Sequence, residues 1–332
     1  MTLEELVGAQ LVVGIPGFVI TKEMLVHLRA IRAGGIIPFA RNFSTPGQFR
    51  AWVSGLAQAL GPSCLFMVDH EGGRVIRLSS GVTRFPDALT VGRTQQAQAV
   101  YQQGQVEAQE LAGYGIQINL APCVDVLVEG ADPVIGDRSY GSDPERVAAL
   151  AVARIQGLQH HGVHACAKHF PGIGAVPKDP HKQLPTVGLG WGQMRQAHLV
   201  PFVAAIRAGV SAVMSSHVCY HDVELMQGQP ATFSPWCIRR LLRGELGFQG
   251  AVISDDLEMG ALRELCPIGE AAVRAVEAGH DLVLVCSDLG LQREVFEALC
   301  EAYRTGRLSV RELEQSLERI ALLRRKKSSS VP

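Results

Sequence analysis

Eight short apolar runs recur along the chain, and segments with helical character separate them. The runs cover residues 11–15, 34–39, 65–69, 116–126, 164–170, 211–218, 250–256 and 281–286. They are nearly continuous and do not alternate with polar residues, which is typical of strands that are buried on both faces. Strand followed by helix, repeated eight times, indicates parallel pairing with right-handed crossovers. This count within 332 residues predicts an α/β fold, a single closed (β/α)8 barrel.

The segments between the runs carry helix start and stop signals. Thr45 is predicted to cap a helix that ends at Gly61, and Asp143 and Ser234 are predicted to cap two others, each with proline next in the chain. An open doubly wound sheet is the alternative fold. It usually has a G-x-G-x-x-G loop after its first strand, and the segment GIPGFVI does not match that pattern.

Composition limits the partners and the compartment. Hydrophobic residues make up 47% of the chain and the formal net charge is −1, so a large core is expected and nucleic acid is not expected as a partner. No apolar run is long enough to span a bilayer, and the acidic N-terminus does not resemble a secretory signal. We therefore expect a cytoplasmic protein with a catalytic domain over residues 1–325 and a basic, disordered tail over residues 326–332. A monomer is the expected form, but the sequence does not determine the oligomeric state.

The 8 cysteines show no C-x-x-C pair and no regular spacing. Cys64, Cys123, Cys166 and Cys286 lie in or beside the apolar runs. This placement predicts reduced, buried thiols rather than a disulfide framework or a zinc site. We expect no metal and no cofactor.

Charged side chains stand at the C-terminal ends of five predicted strands. In chain order they are Asp69, Asp125, Lys168 with His169, His217, and Asp255 with Asp256. A charge inside the packed barrel would carry a large desolvation cost, whereas the C-terminal face is where barrel enzymes place their active sites. One such residue could simply cap the next helix, but polar residues at five strand ends together predict an active site at this face.

Four stretches carry a resemblance to a known family. They are VDHEGGRVIRL (68–78), VIGDRSYGSDP (134–144), KHFPGIGAVPKDPH (168–181) and GAVISDDLEMGA (250–261). In this order and spacing they resemble glycoside hydrolase family 3 and, within it, the NagZ-type β-N-acetylglucosaminidases. The resemblance implies a retaining, exo-acting enzyme that removes terminal β-linked GlcNAc. It also implies a small carbohydrate or muropeptide as substrate, with GlcNAc-anhydromuropeptides of peptidoglycan recycling as the expected case. Chitin oligomers and other glycoconjugates stay open as alternatives.

The resemblance also implies roles for individual residues. Asp255 matches the catalytic nucleophile. Asp179 and His181 match a loop dyad that replaces the usual carboxylic acid catalyst. The residues that match substrate contacts are Asp69, Arg77, Arg138, Lys168 and His169.

These residue types suit the chemistry of a retaining glycosidase, which needs a nucleophile and an acid/base on opposite sides of the scissile bond. The carboxylate of Asp255 is ionised at neutral pH and can form a glycosyl ester. With an unperturbed pKa of ~6.5, His181 can protonate the leaving oxygen, and Asp179 can hold the other ring nitrogen. Asp256 is expected to point the other way, because side chains alternate along a strand, and to orient or bind groups that support the site.

Two positions depart from the family pattern. Ile173 stands where the subgroup usually has a second histidine, and Pro180 stands where it usually has a serine between the dyad members. Pro180 lacks an N–H and has a restricted φ angle, so it is expected to limit the movement of the loop over residues 172–184. That loop is expected to be mobile without substrate and to order over the bound sugar.

Other functions stay open from the sequence. A metal-dependent barrel hydrolase would use His164, His169 and His217 with a carboxylate, although the H-E-x-x-H motif is missing. A Schiff-base lyase would use Lys168. A non-catalytic sugar-binding relative and a β-GlcNAc phosphorylase, in which phosphate replaces water, are the alternatives within the family.

Overall fold

A computed structural model describes residues 1–131, 134–176, 185–220, 222–223, 226 and 228–325. Its strands are β1 Leu11–Val13, β2 Gly35–Ile36, β3 Leu65–Val68, β4 His70–Gly72, β5 Val75–Ile76, β6 Ile118–Asn119, β7 His164–Phe170, β8 Thr186–Val187, β9 Ala212–Ser215, β10 Cys219–Tyr220, β11 Ala251–Asp256 and β12 Leu282–Val285. Eight of them form a closed parallel barrel in the order β1-β2-β3-β6-β7-β9-β11-β12. The predicted (β/α)8 barrel is confirmed, and the open sheet is excluded.

Helices surround this barrel. They are α1 Leu3–Gly8, α2 Lys22–Ala30, α3 Pro46–Leu60, α4 Ala88–Thr94, α5 Ala97–Gly113, α6 Pro144–His160, α7 Trp191–Gln193, α8 Leu199–Arg207, α9 Gly260–Arg263, α10 Ile268–Ala278, α11 Leu289–Arg304 and α12 Val310–Arg324. Met194–His198 and Trp236–Glu245 are π-helical. None of the helices within the described residues is long and apolar enough to cross a membrane.

The predicted caps form as expected. The Thr45 hydroxyl accepts the Gln48 N–H at the start of α3, and the helix ends at Gly61, whose φ is +90°. The Asp143 side chain caps α6 in the same way, and the Ser234 hydroxyl accepts the Cys237 N–H at 3.2 Å. These bonds satisfy backbone donors that have no partner within the helix.

The core consists of two apolar layers. One lies between the strands and the surrounding helices. The other fills the barrel interior, and Ile320 and Leu323 of α12 belong to it. Helix α12 therefore closes the N-terminal end of the barrel, and the C-terminal end is left for the site. All eight cysteines are free thiols, and only Cys266 is more than marginally exposed.

One predicted strand is shorter than expected. Of residues 116–126, only Ile118–Asn119 form a regular strand, followed by an isolated bridge between Cys123 and Lys168. Pro122 interrupts the ladder because it has no N–H to donate. The predicted tail, residues 326–332, lies outside the described residues.

Candidate active site

A cavity of about 900 Å³ opens at the C-terminal ends of the barrel strands. Six of the predicted site residues line it, namely Asp69, Arg77, Arg138, Lys168, His169 and Asp255. The cavity also has apolar walls, to which Phe39, Ile173 and Met259 contribute. Asp179 and His181 lie outside the described residues, as does most of the predicted loop.

Lys168 is held by two carboxylates at the bottom of this cavity. Its Nζ lies 2.8 Å from Asp69 Oδ1 and 2.6 Å from Glu71 Oε1, and the lysine side chain is 2% exposed. Burial alone would lower the pKa of Lys168, but the charges of Asp69 and Glu71 outweigh it and hold that pKa above its ordinary value. Lys168 is therefore a fixed ammonium group with the hydrogen-bond donors that a sugar hydroxyl needs.

The two carboxylates are ionised for the reciprocal reason. Burial would raise the pKa of each, but Lys168 and Arg77 hold the pKa of Asp69 below its usual value. Arg138 and Lys168 hold the pKa of Glu71 well below its usual value. Arg138 reaches Glu71 with two N–H groups, each at 2.8 Å, a bidentate geometry that also fixes the direction of the guanidinium.

Glu71 is a site residue that the sequence reading did not assign. It lies two residues after Asp69 in the same motif, and residues two apart on an extended segment project to one side. That spacing is the signal that could have identified it. Arg154, which is 2% exposed, supports the segment from below by donating to the backbone oxygens of His70 and Glu71 at 2.9 and 2.6 Å.

His169 is oriented by groups on either side of its ring. The Arg138 guanidinium can only donate, and it lies 3.3 Å from Nε2. The ring therefore carries its proton on Nδ1, which donates to Asp125 Oδ2 at 2.8 Å. The same carboxylate accepts the backbone N–H of Ile173 at 2.6 Å. Asp125, to which the sequence assigns no role beyond its place at a strand end, thus sets the tautomer of a predicted substrate contact.

Ile173, the departure from the family pattern, is 4% exposed and lines the cavity. Its backbone makes the hydrogen bond to Asp125 and its side chain adds apolar wall. The departure at this position therefore affects only contacts of the side chain, because the backbone contact to Asp125 is present.

Asp255 reaches the cavity from an irregular part of β11. Ile253 pairs with Leu282 and Asp256 pairs with Leu284, so three residues of β11 oppose two of β12. This extra residue is a β-bulge, a feature that re-aims side chains near active sites. The expected alternation therefore fails here: Asp255 and Asp256 both line the cavity, and the expectation that Asp256 points away was wrong.

Asp256 ties the bulge to the next strand. Its Oδ1 accepts the backbone N–H of Glu258 at 3.1 Å and that of Cys286, after β12, at 3.2 Å. Burial, with added repulsion from Glu258 and Asp255, raises the pKa of Asp256 to about 7. Asp256 therefore serves as a structural acceptor at the edge of the cavity.

The geometry argues against a metal-dependent hydrolase and against a Schiff-base lyase, the two alternatives from other enzyme classes. His164 begins β7 at the N-terminal end of the barrel and bonds Ser211 and the Arg325 backbone oxygen, so it is not brought together with His169 and His217. Cys123, Asp125 and His169 each offer a metal-ligand atom within 4.8 Å of one another. However, the Asp125 oxygens already accept N–H groups, and an ion would have to displace them.

A Schiff-base mechanism requires a neutral amine. The raised pKa of Lys168, caused by its two carboxylate partners, keeps the amine protonated. Lys168 is therefore suited to donate hydrogen bonds and not to attack a carbonyl group.

Residues 2–323 match the family model described as the glycosyl hydrolase family 3 N-terminal domain. A β-hexosaminidase of Alkalilimnicola ehrlichii is 39% identical over 283 residues, which cover 83% of this chain and 80% of that protein. One of Neisseria meningitidis is 39% identical over 290 residues, covering 85% and 79%.

Two solved structures have the same fold over nearly the whole chain. A family 3 β-N-acetylglucosaminidase from a Paenibacillus species has a TM-score of 0.95 and 37% identity, covering 100% of this chain and 64% of that chain. NagZ from Neisseria gonorrhoeae has a TM-score of 0.80 and 33% identity, covering 95% and 97%. These matches confirm the predicted family, fold and enzyme class. The chain therefore belongs to glycosyl hydrolase family 3, as a glycoside hydrolase of the β-N-acetylhexosaminidase type.

Proposed function

We propose that this enzyme is a retaining, exo-acting β-N-acetylglucosaminidase with Asp255 as its nucleophile. One observation carries the proposal: a single cavity unites Asp255 with six polar residues that are fixed by ion pairs and hydrogen bonds, namely Asp69, Glu71, Arg77, Arg138, Lys168 and His169. Such a preorganised set suits the hydroxyl groups of one sugar residue, because rigid donors and acceptors lose little freedom on binding.

The reaction proceeds in two steps. The Asp255 carboxylate attacks the anomeric carbon, the glycosidic C–O bond breaks, and a glycosyl ester forms. His181 protonates the departing oxygen and then takes a proton from the water that cleaves the ester, which restores both groups. Asp179 orients the imidazole. The roles of His181 and Asp179 rest on the loop motif.

The expected sugar is N-acetylglucosamine. NagZ from Neisseria gonorrhoeae, which is similar over 95% of this chain, has been solved with N-trifluoroacetyl-D-glucosamine. The cavity offers cations and carboxylates for hydroxyl groups and apolar walls for an acyl methyl group. As the physiological substrate we propose a small GlcNAc-anhydromuropeptide of peptidoglycan recycling, processed in the cytoplasm by a monomer.

Comparison of an aryl β-N-acetylglucosaminide with the matching aryl β-glucoside tests the proposal, with Asp255→Ala as the control. We expect a preference of at least about 100-fold for the N-acetyl sugar, because a site built to pair polar groups rejects an analogue that leaves them unpaired. Asp255→Ala should lose nearly all turnover. Equal rates on both sugars would contradict the sugar assignment, and release of GlcNAc 1-phosphate on addition of inorganic phosphate would indicate phosphorolysis instead.

A further inference from the structure

The backbone around Asp255 leaves regular sheet pairing before it reaches the cavity. On the side of β9, pairing ends where Ile253 meets Met214. On the side of β12, the bulge shifts the register before Asp256. A bulge leaves backbone groups without ladder partners, and a buried group without a partner is costly. Beyond Ile253, β12 still pairs with Asp256, whereas on the β9 side contacts other than the sheet must hold residues 255–258 in place.

His217 provides such a contact from the β9 side. It follows the end of β9, is 1% exposed, and places Nε2 at 3.0 Å from the backbone oxygen of Asp256. A carbonyl oxygen can only accept, so Nε2 carries a proton and donates it. The backbone N–H of Asp256, in turn, donates to Asp255 Oδ1 at 2.8 Å. The histidine therefore holds the residue on which the Asp255 carboxylate depends.

Thr232 holds the imidazole ring in this orientation. Its Oγ1 lies 2.7 Å from His217 Nδ1, and the threonine is completely buried. The backbone N–H of Thr232 donates to the Ser216 oxygen at 3.1 Å, so the threonine is itself anchored beside the end of β9. A chain of contacts thus runs from Thr232 through His217 to Asp256.

We propose that His217 is a positioning residue for the hydrolytic reaction: its Nε2–H fixes the Asp256 carbonyl and thereby aims the Asp255 carboxylate at the anomeric carbon. This inference rests on the proposed role of Asp255 as the nucleophile. A displacement of a reacting group by 1 Å costs on the order of 100-fold in rate. The ion pairs of Asp69, Lys168 and Arg138 do not depend on this contact, so binding of the sugar itself should be preserved.

Two substitutions separate the hydrogen bond from the packing. His217→Leu fills much of the volume without a donor, whereas His217→Gln can place an amide N–H near the position of Nε2. For an aryl β-N-acetylglucosaminide, we expect His217→Leu to lower kcat about 100-fold and His217→Gln to stay within about tenfold of the unsubstituted enzyme. The inhibition constant of free N-acetylglucosamine should change by less than about twofold in both, because that ligand does not require attack by Asp255.

His164→Leu is the matched control. His164 is also a buried, hydrogen-bonded histidine, but it lies at the opposite end of the barrel. Its substitution should lower stability and leave kcat per folded molecule within about twofold. If His217→Leu does not fold, Thr232→Val provides the test, because it removes the hydroxyl that holds the His217 imidazole. We expect it to lower kcat about tenfold, and Thr232→Ser should recover a large part of that loss.

The proposal is overturned if His217→Leu, or Thr232→Val in its place, keeps full turnover. It is also overturned if the inhibition constant rises in parallel with the loss of kcat, or if the glutamine variant is no better than the leucine variant, because either result indicates a general structural role. Asp255→Ala, measured in the same series, distinguishes a failure of the proposed nucleophile from a failure of the inference about His217. Retained turnover in Asp255→Ala would refute the assignment of Asp255 as nucleophile, and with it this inference. An inactive Asp255→Ala together with a fully active His217→Leu would refute this inference alone.

Discussion

At the scale of single residues, Asp125 is expected to influence substrate binding although it does not line the cavity itself. Its carboxylate accepts from the His169 ring and from the Ile173 backbone. Burial would raise the pKa of Asp125, but His169 and the other hydrogen-bond donors outweigh it and hold the pKa below its usual value. The ring nitrogen that faces Arg138 therefore stays an acceptor.

Asp125→Asn should weaken substrate binding. The new amide keeps one acceptor oxygen and replaces the other with an N–H2 group, so either the Ile173 N–H or the His169 ring loses its acceptor, or the histidine changes tautomer and places an N–H against Arg138. A hydrogen bond to a charged group contributes about 1.5–3 kcal/mol, which corresponds to a rise of roughly 10- to 100-fold in KM. Steady-state kinetics check this, with Asp143→Asn as a control because asparagine also caps a helix. Equal KM values in the two variants would contradict the assigned role.

The neighbouring carboxyl group of Asp256 should couple stability to pH. In the folded chain its pKa is raised from 3.8 to about 7, so between these pH values the folded state holds a proton that the unfolded state has released. The free energy of unfolding therefore falls as pH rises through this window and stays lowered above it. Below pH 3.8 the carboxyl is protonated in both states and contributes no difference.

Asp256→Asn should remove this dependence, because the amide oxygen can still accept the Glu258 and Cys286 N–H groups. Relative to the unsubstituted enzyme, the variant should gain about 2 kcal/mol between pH 4 and pH 8, after allowance for partial exposure. Denaturant unfolding at the two pH values measures the gain. A stability difference that is the same at both would show that Asp256 has an ordinary pKa.

At the scale of elements, the contact between the first and last strands closes the barrel. Gly14, directly after β1, donates its N–H to the Val285 oxygen at 3.1 Å. A Cβ atom at this position would lie 2.0 Å from the Cys286 backbone oxygen, a distance that no side chain tolerates. The ends of β1 and β12 approach so closely only because residue 14 is glycine.

Gly14→Ala should therefore destabilise the fold by about 3 kcal/mol, because backbone on both strands must shift. Gly47→Ala is the matched control: a Cβ there has no heavy atom within 4 Å, and alanine favours helix α3. Thermal unfolding of both variants measures the difference. If Gly14→Ala were as stable as Gly47→Ala, the strands would have to be less closely joined at this point than described.

At the scale of the whole molecule, the sequence predicts the barrel better than it predicts the site. Burial on both faces marks each strand locally as a continuous apolar run, so all eight strands could be located without their partners. The polar network has no such local mark. Lys168 and Asp69 are 99 residues apart, and Arg138 and Glu71 are 67 apart. The roles of Glu71 and Asp125 depend on those distant partners.

The bulge in β11 was missed for a related reason. A single extra residue in a strand does not alter the apolar run, and it becomes visible only from the register with β12. Because the side-chain period of a strand is two, one added residue changes which side chains share a face. This is why Asp255 and Asp256 lie on the same cavity although a regular strand would separate them.

Identification of the covalently labelled residue tests the central claim most directly. The purified enzyme is treated with a mechanism-based fluorinated glycoside, which forms the glycosyl ester and slows its hydrolysis, and the labelled peptide is sequenced by mass spectrometry. The account predicts that one sugar residue is attached to Asp255. Attachment to Asp256 or Asp69, or turnover that releases the sugar with inverted anomeric configuration and no label, would contradict it.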